Sequence, residues 1–143
     1  MTGRAQTILL VEDNADDVEL TIHAFNKSPV AHDIVVARNG EEAMEYLYPA
    51  EAAPHELPAL MLLDLKLPGM SGLDVLRRVR GTESTKRLPV VILTTSDDES
   101  DIINGYNLGV NSYIRKPVDF GSFSGLVDHL GLYWLKINIP SPA

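Results

Sequence analysis

The stretch ALMLLDLKLPGMSGLDVLRRVR, residues 59–80, decides the fold class of this chain. It opens with the apolar run Ala59–Leu63, which predicts a strand at the centre of a sheet. Asp64 follows at once, and a Pro-Gly turn then leads into Leu73–Arg80, whose apolar residues recur at helical spacing. A buried strand, a turn and an amphipathic helix in this order are typical of an α/β protein.

The same alternation of strand and helix continues on both sides of that stretch. The further predicted strands are Thr7–Val11, Asp33–Ala37, Pro89–Leu93 and Ser112–Arg115, and the further predicted helices are Ala15–Lys27, Glu41–Tyr48, Ser100–Leu108 and one that begins near Asp119. Three prolines mark Pro49–Pro58 as a surface connection. We therefore expect a doubly wound, flavodoxin-like parallel sheet of five strands in the order 2-1-3-4-5, with helices on both faces.

Length and composition exclude several classes of protein. The 143 residues predict one domain, with a core over residues 7–130 and a C-terminal helix extension over 131–143. A formal charge of −8 argues against nonspecific binding to nucleic acid or to an anionic membrane. No apolar run approaches the roughly 20 residues of a membrane span, and the N-terminal run is too short for a secretory signal. The absence of cysteine excludes a disulfide scaffold, a thiolate zinc site and a cysteine nucleophile. We expect a cytoplasmic protein without a nucleic-acid or membrane partner and without an organic cofactor.

Chemically active side chains follow the predicted strands at the points where those strands end. Glu12 and Asp13 follow the first strand, Asp64 the third, Thr94 the fourth and Lys116 the fifth. In such folds ligands bind beyond the carboxyl ends of the strands, so these side chains should meet at one crevice. Two carboxylates about 4 Å apart repel by up to ~4 kcal/mol at an effective dielectric near 20. Mg²⁺ favours a few carboxylates together with waters and phosphate oxygens, so the three acids predict a Mg²⁺ site.

A metal at that crevice gives the neighbouring groups a common chemistry. Asp64 is a carboxylate that can attack phosphorus as a nucleophile. The Lys116 ammonium and the Thr94 hydroxyl can then neutralise and orient the phosphoryl oxygens, as phosphoryl transfer requires. The bond between Lys116 and Pro117 is also a candidate for the cis form, which an X-Pro bond tolerates at a cost of ~0.5–1 kcal/mol.

Four motifs together resemble response-regulator receiver domains of two-component signalling: VEDN (residues 11–14), LLDLKLPGMSG (62–72), PVVILTT (89–95) and YIRKP (113–117). The resemblance covers residues 7–130. It implies that Asp64 is the phosphoacceptor, that Thr94 and Lys116 sense the phosphoryl group, and that Tyr113 is the aromatic switch residue. It also implies metal binding by Glu12, Asp13, Asp64 and the backbone carbonyl of Lys66.

A narrower resemblance lies in LTTSDDESDI (93–102), YNLGVNSYIRKPVD (106–119) and LYWLKINIP (132–140). These segments are similar to the stand-alone regulators of phytochrome-type, light-sensing histidine kinases. The resemblance implies a sensor histidine kinase as partner, with a histidine phosphotransfer protein as a further candidate. No output domain follows the last helix in this sequence, so we expect signalling through protein–protein contacts.

The last predicted helix carries two apolar stripes. The first repeats at intervals of 3-4-3-4-3 and is expected to cover the sheet; it comprises Phe120, Phe123, Val127, Leu130, Trp134 and Ile137. A second stripe on another face comprises Leu132, Leu135 and Ile139. One domain needs only one such stripe, and exposed apolar surface of this size usually marks an interface. We therefore predict a homodimer in which the C-terminal segment takes part.

Other functions stay open beside a phosphorylation switch. A haloacid-dehalogenase-type phosphatase also uses an aspartate nucleophile with Mg²⁺, but needs a second acid at the position that Lys66 occupies. A flavodoxin-like nucleotide-binding module cradles phosphate in a loop after the first strand, where this chain places the acidic run Glu12–Asp17. A receiver-like scaffold would bind its partners without being phosphorylated. For Tyr113 the alternative to a switch residue is an aromatic side chain that stays fixed in the core. We expect a phosphoacceptor signalling protein and not an enzyme.

Overall fold

A computed structural model of the chain describes residues 6–28, 30, 32–50, 57–116 and 119–142. Its strands are β1 (Gln6–Val11), β2 (His32–Ala37), β3 (Leu60–Leu63), β4 (Val90–Thr94) and β5 (Ser112–Arg115). Its helices are α1 (Ala15–Asn26), α2 (Gly40–Leu47), α3 (Gly72–Gly81), α4 (Glu99–Asn107) and α5 (Phe120–Leu132). Each predicted strand and helix is present, and the predicted ends of the strands and of α1 to α4 lie within one residue of the observed ones, but the helical extension predicted over residues 131–143 ends at Ile137. None of the helices in these ranges is both long and apolar enough to cross a membrane.

Two predictions fall partly or wholly outside the described residues. The connection predicted over Pro49–Pro58 includes residues 51–56, and the candidate cis bond involves Pro117. The side chain of Phe120, the first residue of the predicted core stripe, is also outside the description.

The sheet confirms the predicted topology. Its five strands are all parallel and pair in the order β2-β1-β3-β4-β5. The central strand β3 is buried throughout, and its last residue, Leu63, pairs with Val11 of β1 on one side and with Ile92 of β4 on the other. Because these three strands end at nearly the same level, the residues that follow them are brought to one edge of the sheet.

Alternate residues of the central strands face two separate hydrophobic cores. On one face, Met61 and Leu63 of β3 pack with side chains of α2 and α3. The same face receives α4, where Gly105 allows close approach to the Ile92 side chain. On the other face, Leu60 and Leu62 pack with side chains of α1 and α5. The helices therefore cover both faces of the sheet, as predicted.

The C-terminal helix departs from the prediction at its end. After α5 the chain forms a π-helical turn, Tyr133–Ile137, in which the Asn138 amide donates to the Tyr133 carbonyl at 2.6 Å. A π turn holds more residues than an α turn, so the side chains beyond its start are rotated about the axis. As a result Leu135 is buried in the α1–α5 core with only 7% of its surface exposed, while Ile137 is 58% exposed.

This rotation corrects the two predicted stripes. The expectation that Ile137 covers the sheet is wrong, and so is the expectation that Leu135 belongs to an exposed stripe. Trp134 packs against the core as expected. Leu132 and Ile139 of the second stripe are exposed, by 47% and 91% respectively.

Shortening Leu135 to alanine should lower the free energy of unfolding by about 2–4 kcal/mol, because the change leaves a cavity in the core. Ile137→Ala is the matched control and should change it by less than about 0.5 kcal/mol, since that side chain is exposed. Urea denaturation followed by circular dichroism, at a protein concentration low enough to prevent association, measures both. Equal losses for the two variants would contradict the rotated register.

Candidate functional site

Three acidic side chains meet at the edge where β1 and β3 end. Glu12 and Asp13 directly follow β1, and Asp64 directly follows β3. The Asp64 amide donates to the Val11 carbonyl at 3.0 Å, which ties the two strand ends together. One carboxylate oxygen from each acid lies within 4.8 Å of those of the other two. Glu12 and Asp64 are buried and Asp13 is exposed, so the predicted cluster exists and opens to solvent on one side.

The donor set of this cluster fits a hard divalent cation. All three donors are carboxylate oxygens, which Mg²⁺ and Mn²⁺ accept readily. Within the described part of the chain, no other group of three or more such side chains comes together in this way. The cluster can therefore bind a divalent metal ion. The Lys66 amide lies 3.4 Å from Asp64 Oδ1, so the backbone whose carbonyl is the predicted fourth ligand passes beside the cluster.

Gly72 shapes the wall of the site next to Asp64. A Cβ atom at this position would overlap the carbonyl oxygen of Asp64 and press on the Cα atom of Leu65. The Gly72 amide instead donates to the Leu65 carbonyl at 3.0 Å, so α3 begins directly against the end of β3. The close approach of α3 to Asp64 therefore requires glycine here.

Lys116 brings a positive charge into the cluster. Its Nζ atom lies 2.6 Å from Glu12 Oε1, 2.8 Å from Asp17 Oδ2 and 3.4 Å from Asp64 Oδ2, and its side chain is only 7% exposed. The backbone of Lys116 is held by β4, because its amide donates to the Thr94 carbonyl at 2.7 Å. An ammonium group has three N–H donors, and here three carboxylates surround it.

Burial and ion pairing together set the protonation of this pair. Burial raises the pKa of Glu12 from 4.5 to about 7; the hydrogen bond from Lys116 works against that rise, and the charge of Asp64 adds to it. Burial lowers the pKa of Lys116, but the hydrogen bonds to Asp17 and Glu12 and the charge of Asp64 outweigh burial and raise that pKa above its usual value. The Lys116 ammonium therefore stays protonated at neutral pH. The raised pKa of Glu12, by contrast, lies near neutrality.

Thr94 and Tyr113 meet at the loop that follows β4. Thr94 is fully buried, and its Oγ1 accepts a hydrogen bond from the Ser96 amide at 3.4 Å. The Tyr113 phenol donates to the Ser96 carbonyl at 2.9 Å, while Ser96 Oγ donates to Asp101 Oδ2 of α4 at 2.7 Å. Burial raises the pKa of Tyr113, which keeps the phenol protonated and able to donate. Ser96 thus joins the strand end to α4.

All the residues predicted from the strand ends are at this edge, but the sequence prediction missed two that contact them. Asp17 was seen only as part of an acidic run, and Ser96 was not singled out. A signal for Asp17 does exist, because Asn14 caps α1 and so places Asp17 one turn above the end of β1. The buried hydroxyl of Ser96 has no comparable signal in the sequence.

Comparison with known proteins identifies the family. The family model described as "Response regulator receiver domain" matches residues 8–128. The probable methanogenesis regulatory protein FilR2 of Methanothrix harundinacea is 39% identical over 137 residues, covering 95% of this chain and 88% of that protein. The response regulator Rcp1 of Synechocystis sp. is 36% identical over 138 residues, covering 95% of this chain and 94% of that protein.

Solved structures of response regulators are also similar to this chain. The phosphorylated cyanobacterial phytochrome response regulator RcpA superimposes with a TM-score of 0.90 at 39% identity, covering 98% of this chain and all of that one. The Mn²⁺-bound form of Rcp1 gives a TM-score of 0.86 at 34% identity, covering 95% and 99% of the two chains. Because the family match extends from β1 to α5 and includes every residue of the site, the chain belongs to the response regulator receiver domain family.

Proposed function

We propose that this chain is a single-domain response regulator that accepts a phosphoryl group on Asp64 from the phosphohistidine of a sensor histidine kinase. The observation that carries this proposal is the position of the Asp64 carboxylate, which belongs to the acidic cluster and also lies beside the Lys116 ammonium. Phosphoryl transfer needs positioning and neutralised charge more than covalent help from other groups. The Asp64 carboxylate thus lies next to the Lys116 ammonium and also belongs to a site for a divalent cation.

In the proposed reaction a carboxylate oxygen of Asp64 forms a bond to phosphorus as the bond from phosphorus to the kinase histidine nitrogen breaks. The Leu65 amide donates to Asp64 Oδ1 at 2.7 Å and so orients the carboxylate. The Lys116 ammonium and the Thr94 hydroxyl donate to oxygens of the transferred group. A bound divalent cation supplies further neutralising charge to those oxygens.

We infer that the cation is Mg²⁺, held by Glu12, Asp13 and Asp64 with the backbone carbonyl of Lys66. The all-oxygen donor set with an open side supports this choice, because Mg²⁺ keeps several waters and binds through few carboxylates. The Mn²⁺-bound form of the relative Rcp1 supports a divalent cation as a ligand of this chain too.

The proposed switch begins with the charge of about −1.5 to −2 that a phosphoryl group carries near neutral pH. Thr94 and Lys116 sense this charge by donating hydrogen bonds to the group. Movement of Thr94 reaches Ser96 through the loop, and Tyr113 and Asp101 of α4 follow because both bond to Ser96. A charge change at Asp64 then shifts the population of an arrangement that partners read at the surface of α4.

The similarity to RcpA, a cyanobacterial phytochrome response regulator, supports a phytochrome-type sensor histidine kinase as the partner. A histidine phosphotransfer protein is the proposed recipient if the phosphoryl group is passed on. The proposed location of the chain is the cytoplasm, together with the catalytic part of that kinase. Turnover as a phosphatase is disfavoured, because exposed Lys66 occupies the position where that chemistry needs an acid.

We also propose a homodimer that uses Leu132 and Ile139. These two apolar side chains are exposed on the C-terminal segment, together with Tyr133 and Ile137. An apolar patch of this kind on a small domain is typical of an interface. Leu135 is buried in the core and so does not take part in the proposed patch.

Replacing Asp64 with asparagine should abolish phosphorylation, because the amide is not a nucleophile toward phosphorus. Intact mass after treatment with acetyl phosphate and Mg²⁺ should show one added, alkali-labile phosphoryl group on the wild type and none on Asp64→Asn. Asp16→Asn, which removes an exposed acid at the same edge, is the control and should be labelled like the wild type. Labelling of Asp64→Asn at the wild-type rate would contradict the assignment, and an unlabelled wild type would favour a phosphate-independent scaffold.

Mg²⁺ affinity should depend on pH, because metal ligands must lose their protons before they bind. Since the metal-free pKa of Glu12 is about 7, a proton competes with the metal below that value. Affinity should therefore fall about tenfold between pH 8 and pH 6. Titration of backbone amide signals with Mg²⁺ measures this, and Glu12→Gln, which binds more weakly, should show a flat profile. An affinity that is constant across this range would argue against Glu12 as a ligand.

Changing Leu132 and Ile139 together to serine should dissociate the proposed dimer, since the patch loses its apolar surface. Sedimentation equilibrium at tens of micromolar should show a dimer for the wild type and a monomer for the double variant. Ile103→Ser, at a half-exposed position on α4, is the control and should remain dimeric. A wild type that sediments as a monomer with and without phosphorylation would exclude the dimer.

A further inference from the structure

Asp17 forms an ion pair that its place in α1 does not require. It lies in the first turn of α1, where acids commonly stabilise the helix through the macrodipole. Its neighbour Asp16 lies in the same turn, is exposed and is available for that role. The Asp17 carboxylate instead turns to the Lys116 ammonium, 2.8 Å away, and is 31% exposed.

The backbone of Asp17 is held at both of its polar groups. Its amide donates to Asn14 Oδ1 at 2.9 Å, which is the N-cap bond of α1. Its carbonyl accepts a hydrogen bond at 2.7 Å from the buried hydroxyl of Thr21. The backbone of Asp17 is therefore fixed, so only its side-chain torsions lose freedom when the carboxylate binds Lys116.

Asp17 differs from the other two partners of the ammonium. Glu12 and Asp64 belong to the acidic cluster that can hold a metal, whereas Asp17 does not. A divalent cation and the Lys116 ammonium are both positive and use the same two carboxylates, so they compete for them. Asp17 is a partner that Lys116 can keep while the metal takes the others.

We propose that Asp17 is a positioning residue for Lys116. It holds the ammonium at the edge of the site when a divalent cation occupies Glu12 and Asp64, and it leaves two N–H donors free to turn to the phosphoryl group. The second half of this statement rests on the proposed function of Asp64, whereas the first half concerns metal binding only. Without the Asp17 carboxylate, the Lys116 ammonium would pair only with Glu12 and Asp64. It would then compete more strongly with the metal for these two carboxylates.

The test measures Mg²⁺ dissociation constants of the unphosphorylated full chain by amide NMR titration. Asp17→Asn should weaken Mg²⁺ binding about tenfold, the size of effect typical of groups that orient metal ligands. Asp16→Asn removes the same charge one residue away and should weaken binding less than about twofold, as for an exposed charge. Asp17→Glu keeps the charge and should restore most of the affinity.

A double-mutant cycle separates positioning from a simple loss of charge. Lys116→Met should tighten Mg²⁺ binding, because the competing cation is gone. In that background Asp17→Asn should weaken binding no more than Asp16→Asn does, since Asp17 acts through Lys116. An Asp17→Asn loss that is equal in both backgrounds, or equal to that of Asp16→Asn, would overturn the proposal.

The outcome is independent of whether Asp64 is phosphorylated. If acetyl phosphate fails to label the wild type but the cycle gives the expected coupling, the proposed function fails and the role of Asp17 in metal binding stands. If labelling succeeds and the coupling is absent, the proposed function stands and the role of Asp17 in metal binding fails. Urea denaturation of each variant checks folding, and Asp17→Glu supplies the comparison if Asp17→Asn is unstable.

Discussion

The structure depends on how like charges are held together where the strands of the sheet end. Four carboxylates, those of Glu12, Asp13, Asp17 and Asp64, share this edge with the ammonium group of Lys116. At an effective dielectric near 20, two unit charges about 4 Å apart repel by ~4 kcal/mol, so the edge needs positive charge. Lys116 supplies part of it and a divalent cation can supply more. Such a site responds strongly to any further change in charge.

The apolar sheet keeps these repelling groups in place. The central strands β3 and β4 are buried along their whole length, with helices packed on both faces. Because the strands are parallel and end at one level, the charged residues come just beyond the core and need not be buried within it. Gly72 then lets α3 begin directly against the backbone of Asp64. Burial of apolar surface therefore offsets the cost of gathering the acids.

A continuous set of hydrogen bonds leads from this edge to the surface of the domain. Thr94 contacts the Ser96 amide, and Ser96 contacts both Tyr113 and Asp101 of α4 through separate atoms. Under the proposed function, the loop after β4 is the element that a new charge at Asp64 displaces, and α4 is the surface that changes with it. The proposed patch of Leu132 and Ile139 belongs to α5 and the segment after it, so the proposed switch and the proposed dimer would use different helices.

Local patterns determined most of the fold, and long-range packing decided the details of the site. Strands and helices follow from runs of neighbouring residues, so the sequence by itself determined the five strands, the five α-helices, the sheet order and which acidic and polar residues stand at the strand ends. The ion pair between Asp17 and Lys116 joins positions 99 residues apart, and no local pattern specifies which acid an ammonium will meet. The π turn that buries Leu135 and exposes Ile137 breaks the helical period on which the predicted stripes rest. Only the tertiary structure decided these two features, because each depends on contacts between segments that the chain brings together when it folds.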